Sequence, residues 1–177
     1  MYEEELKNSI REIKDFPKEG ILFYDLSTLF LNGRTFSLAV DLLAHRYLNK
    51  VKIDSILSIE ARGFLLGAAL AYRLGTGIVM ARKKGKLPWK TMFAKYELEY
   101  GTDEIHVHSD AIKEGDRVLV VDDLLATGGT AAAVCDLVKL FGGEIVECAF
   151  LVELPDLKGR GKLKGIDIHS ILEYEGA

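Results

Sequence analysis

The chain has 177 residues, 49% of them apolar and 28% charged, with a net charge of −4 and two cysteines. That length suits one domain with a real core, and the acidic balance excludes a dedicated nucleic-acid binder, which carries a basic excess or stripe. No run approaches the roughly 18 uninterrupted apolar residues of a membrane span, and a start containing Glu3, Glu4 and Glu5 is not the basic opening of a secretory signal.

Residues 1–14 alternate charge with Leu6, Ile10 and Ile13 at helical spacing, which predicts an amphipathic helix over the whole stretch. Pro17 and Gly20 break it. Ile21, Leu22 and Phe23 follow as an apolar extended segment that can cover a flat ligand while offering backbone N–H and C=O to its edge, although a connector plugging the core is the plainer alternative. Phe36, Val40, Leu43 and Ala44 predict a core helix over 34–47. Residues 53–59 form the first predicted strand of a parallel sheet and 63–74 the helix behind it, joined by Glu60, Ala61, Arg62 and Gly63. A charged tip on such a βα unit lies at the edge where open α/β sheets bind ligands. Arg62 offers a planar fork for phosphate, with a surface ion pair to Glu60 as the alternative.

Residues 78–81 predict a short edge or second strand that runs into Arg82, Lys83, Lys84 and Lys86, either an anion clamp or a solvated loop. Apart from a hairpin-like alternation at 96–103, residues 88–110 lack apolar periodicity, so 83–109 is expected as a long mobile loop able to act as a lid. His106 and His108 share a strand face but have no further ligands at metal spacing and are taken as surface residues. His45 and His169 are isolated and carry no role.

The chain is organised around residues 118–130. Val118, Leu119, Val120 and Val121 are apolar on both faces, as in a central parallel strand covered by helices on each side. Asp122 and Asp123 follow at the strand end. Then come Ala126, Thr127, Gly128, Gly129 and Thr130, a tight turn with two hydroxyls, opening a helix over 131–141. The unpaired N–H groups and dipole of a helix start make this an anion cradle, most simply for a phosphate. The dipole supplies only about 0.3–1 kcal/mol, so several backbone donors must act with the hydroxyls. Neither the Walker pattern nor a Gly-x-Gly-x-x-Gly helix opening is present. Beyond the turn, 144–154 predict a buried strand, 157–164 a glycine-rich basic loop, and 169–174 a last strand. Alternating strands and helices indicate an α/β fold, a parallel sheet flanked by helices. Cys135 and Cys148 fall in apolar surroundings and are expected as small buried hydrophobes in a reducing compartment.

The strand, paired acids and Ala-Thr-Gly-Gly-Thr turn resemble the diphosphate-sugar signature of the type I phosphoribosyltransferases. Together with Glu-Ala-Arg-Gly-Phe at 60–64, the basic run at 82–88 and Glu-Leu-Glu-Tyr-Gly at 97–101, they make residues 16–174 similar to the adenine-using branch of that family. The resemblance implies a small N-terminal hood over 1–33, with the adenine pocket at Ile21, Leu22 and Phe23. It implies ribose hydroxyls on Asp122 and Asp123, the 5-phosphate on Ala126 to Thr130, and pyrophosphate on Ala61, Arg62, Arg82, Lys83 and Lys86. Arg62, Glu99 and Tyr100 are the implied catalytic residues, the last two on the flexible loop. A cytoplasmic homodimer is implied, with adenine and phosphoribosyl pyrophosphate as substrates and Mg2+ bound mainly through substrate rather than by protein ligands. Neither nucleic acid nor membrane is an expected partner. Glu19 and Tyr24 depart from the proline and arginine common in the family, so a base contact from that arginine is not expected. Two alternatives remain: transfer to a 6-oxopurine, and a non-catalytic module that senses the sugar diphosphate.

Overall fold

A computed structural model describes residues 2–97 and 101–175. The chain opens with α1 (Tyr2–Ser9), then β1 (Arg11–Lys14) and β2 (Leu22–Asp25), which pair antiparallel with Ile13 opposite Phe23. The helix expected over 1–14 therefore stops at Ser9. There the Ser9 hydroxyl donates to the Leu6 carbonyl at 2.7 Å, a local bond that competes with helix propagation, and strand pairing claims the residues beyond. Two helices follow, α2 (Ser27–Leu31) and α3 (Gly33–Tyr47). The Asn32 side chain accepts from the N–H groups of Arg34 and Thr35 and so caps α3.

The main sheet contains β3 (Ser55–Ile59), β4 (Gly77–Lys83), β5 (Thr91–Glu97), β6 (Thr102–His108), β7 (Arg117–Leu125), β8 (Glu144–Glu153) and β9 (Ile168–Glu173). Its order is β5-β6-β4-β3-β7-β8-β9, parallel from β4 to β9, with β5 and β6 added antiparallel. Helix α4 (Gly63–Leu74) follows β3, and α5 (Gly129–Leu140) follows β7.

The sheet is buried on both faces, which is why β7 has no polar stripe before its aspartates. Leu119 and Val121 point into a core with Leu66 and Leu70 of α4 and Leu43 of α3. Val118 and Val120 point the other way, toward Val134, Leu137 and Val138 of α5. A buried aliphatic side chain of this size contributes about 1.5–3 kcal/mol, so both layers are firmly seated. Because β3 and β7 are neighbours, the two βα turns that follow them emerge side by side at one sheet edge.

Two expectations change here. The segment expected as a long loop, hairpin-like only at 96–103, forms two paired seven-residue strands. It has an apolar face of its own: Tyr96, Ile105 and Val107 are buried against α5. Alternation of period two over short strands gave too weak a signal between the charged residues. The basic run also begins inside a strand, since Arg82 and Lys83 pair with His106 and Ile105 of β6.

Candidate active site

Strand β7 carries Asp122 and Asp123 near its C-terminal end, and the pleat turns them to opposite sides. The Asp122 carboxylate accepts the N–H of Asp123 at 2.8 Å and lies against the first turn of α4. A side chain on Gly63 would stand 2.6 Å from its Oδ1, so only glycine lets the helix come this close. Burial, and then the charge of Asp123, push the Asp122 carboxyl well above the usual carboxylate range. Asp123, 6% exposed, has Oδ2 2.5 Å from the Nε of Arg62. That contact is an ion pair without hydrogen-bond alignment, and Oδ2 is otherwise unpartnered.

Arg62 thus pairs with Asp123 and not with Glu60. The Glu60 carboxylate turns the other way, taking Arg82 Nε at 2.9 Å and the Lys83 N–H at 2.8 Å. The Glu60–Ala61 peptide bond is cis. Arg62 also lies over the ring of Phe23, 5.8 Å from its centroid, within the range of a cation–π contact. The N-terminal segment is thereby joined to the paired acids. Of the apolar segment, Ile21 is exposed while Leu22 and Phe23 are half-buried. Tyr24 points away into the core, its ring 4.1 Å from that of Tyr174, so the departure at this position leaves the Phe23 side untouched.

The turn from Ala126 to Thr130 opens α5, with Gly128 at φ 75° and Gly129 the first helical residue. The hairpin lies directly over it. The Glu97 carbonyl oxygen and the Tyr96 ring come within 3.3 and 3.9 Å of the point where a Gly129 Cβ would be. Tyr96 donates to Asp103 at 3.2 Å, and Asp103 also holds the Lys83 ammonium at 3.1 Å. The space left beside the turn is about 90 Å³, well below the roughly 300 Å³ of a small-ligand pocket. A larger cavity, about 960 Å³, lies elsewhere, between α3, β8 and β9 beside Arg46, Glu147 and His169.

Of the residues expected at the site, Arg62, Phe23, Arg82, Lys83, Asp122, Asp123 and the turn therefore meet at one edge. Lys86 contributes its carbonyl to Arg82 at 3.1 Å while its side chain is exposed. Glu99 and Tyr100 lie outside the described residues. Sequence reasoning missed Asp103 and the segment 155–163. The latter packs Gly159 against the turn so tightly that a Cβ on Gly128 would stand 2.4 Å from the Gly159 carbonyl, and one on Gly159 2.3 Å from that of Ala126. Its only sequence signal was a basic, glycine-rich composition. Among the described residues, no cluster of three or more His, Cys, Asp or Glu could hold a metal ion, and no helix is long and apolar enough to cross a membrane.

Comparison with known proteins agrees with this geometry. Residues 28–169 match the family model described as phosphoribosyl transferase domain. The chain is 60% identical over 171 residues to the adenine phosphoribosyltransferase of Syntrophotalea carbinolica, covering 97% of this chain and 99% of that one. The crystal structure of adenine phosphoribosyltransferase from Thermoanaerobacter pseudethanolicus matches with a TM-score of 0.92 at 51% identity, covering 97% of this chain and 99% of that one. That of the Saccharomyces cerevisiae enzyme, complexed with adenine and an imino-altritol bisphosphate, also gives 0.92, at 42% identity and 97% and 98% coverage. The paired acids, the glycine turn that opens α5 and these matches over nearly the whole length agree: the chain belongs to the adenine phosphoribosyltransferase family.

Proposed function

We propose that the protein transfers the 5-phosphoribosyl group of phosphoribosyl pyrophosphate to adenine, giving AMP and pyrophosphate, in purine salvage. The observation that carries this reading is the convergence of Phe23, the Arg62–Asp123 pair and the Ala126–Thr130 turn at one edge of the sheet. The turn holds the 5-phosphate on backbone N–H groups of α5 and the hydroxyls of Thr127 and Thr130. Asp122 and Asp123 accept from the ribose hydroxyls, and the unfilled bonds of Asp123 Oδ2 suit that task. Ala61, Arg62, Arg82, Lys83 and Lys86 receive the pyrophosphate, exchanging the present ion pairs with Asp123, Glu60 and Asp103 for ligand charge.

In the reaction a bond forms between a ring nitrogen of adenine and C1 of the ribose, the C1–O bond to pyrophosphate breaks, and the proton on that nitrogen must leave. Glu99 accepts it, with Tyr100 next in the chain, once water is excluded from the site. Mg2+ would be held mainly by the substrate phosphates, with Asp122 and Asp123 able to accept from its waters, and would neutralise charge on the leaving pyrophosphate.

A homodimer is supported by Leu65, Ile78, Met80 and Phe93, all exposed by 40% or more on the α4 side of the sheet. A cytoplasmic location is supported by Cys135 and Cys148, which stand 3.4 Å apart unbridged.

The test is purified protein with phosphoribosyl pyrophosphate, magnesium and each purine in turn. AMP should form with adenine, and hypoxanthine should be used at least a hundredfold less well, because a backbone acceptor facing the adenine amino group would meet a second acceptor. Equal use of both bases defeats the adenine assignment, and binding of the sugar diphosphate without turnover returns the sensor reading.

A further inference from the structure

The basic groups on the β3 and β4 side of the site are already engaged: Arg62 with Asp123, Arg82 with Glu60, Lys83 with Asp103 and Lys84 with Glu104. Across the turn, on the β8 side, stands a different cation. Lys162 places its ammonium nitrogen 3.7 Å from the point where a Cβ on Gly129 would be, at the first residue of α5. Among the described residues it has no ion pair.

Its position is built. The segment Pro155–Leu157 and Gly159–Lys162, two short 3-10 turns, leads from β8 toward β9. Arg160 clamps the second turn by a two-pronged pair to Glu153, at 2.7 and 2.6 Å, and by a bond to the Ile168 carbonyl at 3.3 Å. Leu163, 2% exposed, is sunk into the core beneath α5. Gly159 is wedged against Gly128 and Ala126. Lys162 therefore lies between the clamped Arg160 and the buried Leu163, its own side chain exposed and its ammonium beside the first residue of α5.

We propose that Lys162 is a substrate-binding residue, the cationic wall of the 5-phosphate cradle, contacting the ribose-borne phosphate and not the pyrophosphate. This rests on the reading of the turn as that cradle. Backbone N–H groups and hydroxyls fix the orientation of a phosphate but leave its double negative charge uncompensated, and no described acid or base within the turn itself supplies the counter-charge. An ammonium adds a charge-assisted bond without demanding the planar geometry of an arginine. The sheet order separates the duties: cations from the β3 and β4 ends face the leaving group, and the cation from beyond β8 faces the phosphate that stays.

Affinities of ribose 5-phosphate and of pyrophosphate, measured by calorimetry on the whole protein, test this in the wild type, Lys162→Met and Lys162→Arg. Lys162→Met should weaken ribose 5-phosphate about tenfold to a hundredfold, the usual worth of a bond to a charged group, with Lys162→Arg recovering part of it and pyrophosphate within about twofold throughout. Unchanged ribose 5-phosphate affinity, or an equal loss for both ligands, overturns the proposal. Lys162→Gln is the second variant; if it and Lys162→Met both fail to fold, Lys162 is structural and the proposal is wrong. A wild type that makes AMP while Lys162→Met binds ribose 5-phosphate normally defeats Lys162 alone. A wild type that makes no nucleotide defeats the proposed function.

Discussion

Two sets of buried and half-buried carboxylates stand on neighbouring strands and are treated oppositely. On β8, Glu147 is 5% exposed and takes three donors: Arg46 at 2.5 and 2.6 Å and the Tyr47 hydroxyl at 2.5 Å. Burial raises its pKa, but the Arg46 and Tyr47 bonds outweigh this and leave it lowered. Glu153 is likewise filled by Arg160 and Ser170. On β7 the paired acids are left short. Asp122 has the Asp123 N–H as its donor, and Asp123 Oδ2 has only a misaligned Arg62. A carboxylate that holds the fold together is saturated in the free protein, whereas one that waits for a ligand is held under-bonded, at some expense in stability.

The sharpest way to extend that contrast is the carboxylate proposed to act in turnover. Glu99→Gln should lower kcat by about a hundred- to ten-thousand-fold, the usual range for general-base help, while affinity for the sugar diphosphate stays near wild type. Steady-state and single-turnover kinetics would separate the two. A loss below about tenfold, with Glu97→Gln showing the larger one, moves the role to Glu97.

On the structural side, Glu147→Gln should cost roughly 3 kcal/mol of stability, toward the low end for breaking a buried pair because Arg46 stays partly exposed. Urea unfolding would measure it, with kcat and KM unchanged. Because the folded pKa of Glu147 is lowered, its contribution is present above its ordinary value of 4.5 and is lost as the pH falls through the folded pKa. The gap between wild type and variant should close in acid. A variant that keeps its stability but loses substrate affinity would break the contrast.

The smallest effect has the opposite sign. The Asp122 carboxyl is raised, so the native state holds its proton where the unfolded chain has lost it, and stability falls as the pH climbs above the ordinary value of 3.8 toward the folded pKa. Asp122→Asn should therefore raise the melting temperature at neutral pH by a few degrees, about 1 kcal/mol in a domain of this size, with little change near pH 3. Calorimetric scans across pH would show it. A variant less stable at every pH would mean that Asp122 is a filled structural acid like Glu147.

Much of this was legible in the residues themselves. Helix α4 and strand β8 begin where periodicity and apolar runs place them, and the acids, turn and Arg62 are local in sequence, so their chemistry shows at a glance. The hairpin was legible only as the alternation at 96–103, because its apolar face of Tyr96, Ile105 and Val107 is complete only once α5 lies against it. The partner of Arg62 was not legible either: Asp123 is far along the chain, and the ion pair weighed as the alternative was to Glu60, two residues away. The role of 155–163 depends on a backbone contact between glycines that no side-chain pattern announces.

That contact also fixes an order of events during synthesis. The Gly128 turn has one wall made of Gly159, about thirty residues downstream, so a nascent chain that has emerged only through α5 has the acids and the glycines but not the finished cavity. Domains fold as their elements leave the ribosome, at about 5–20 residues per second. The growing chain thus spends its early life with the Gly128 turn lacking this wall, which closes only after most of the chain has been made.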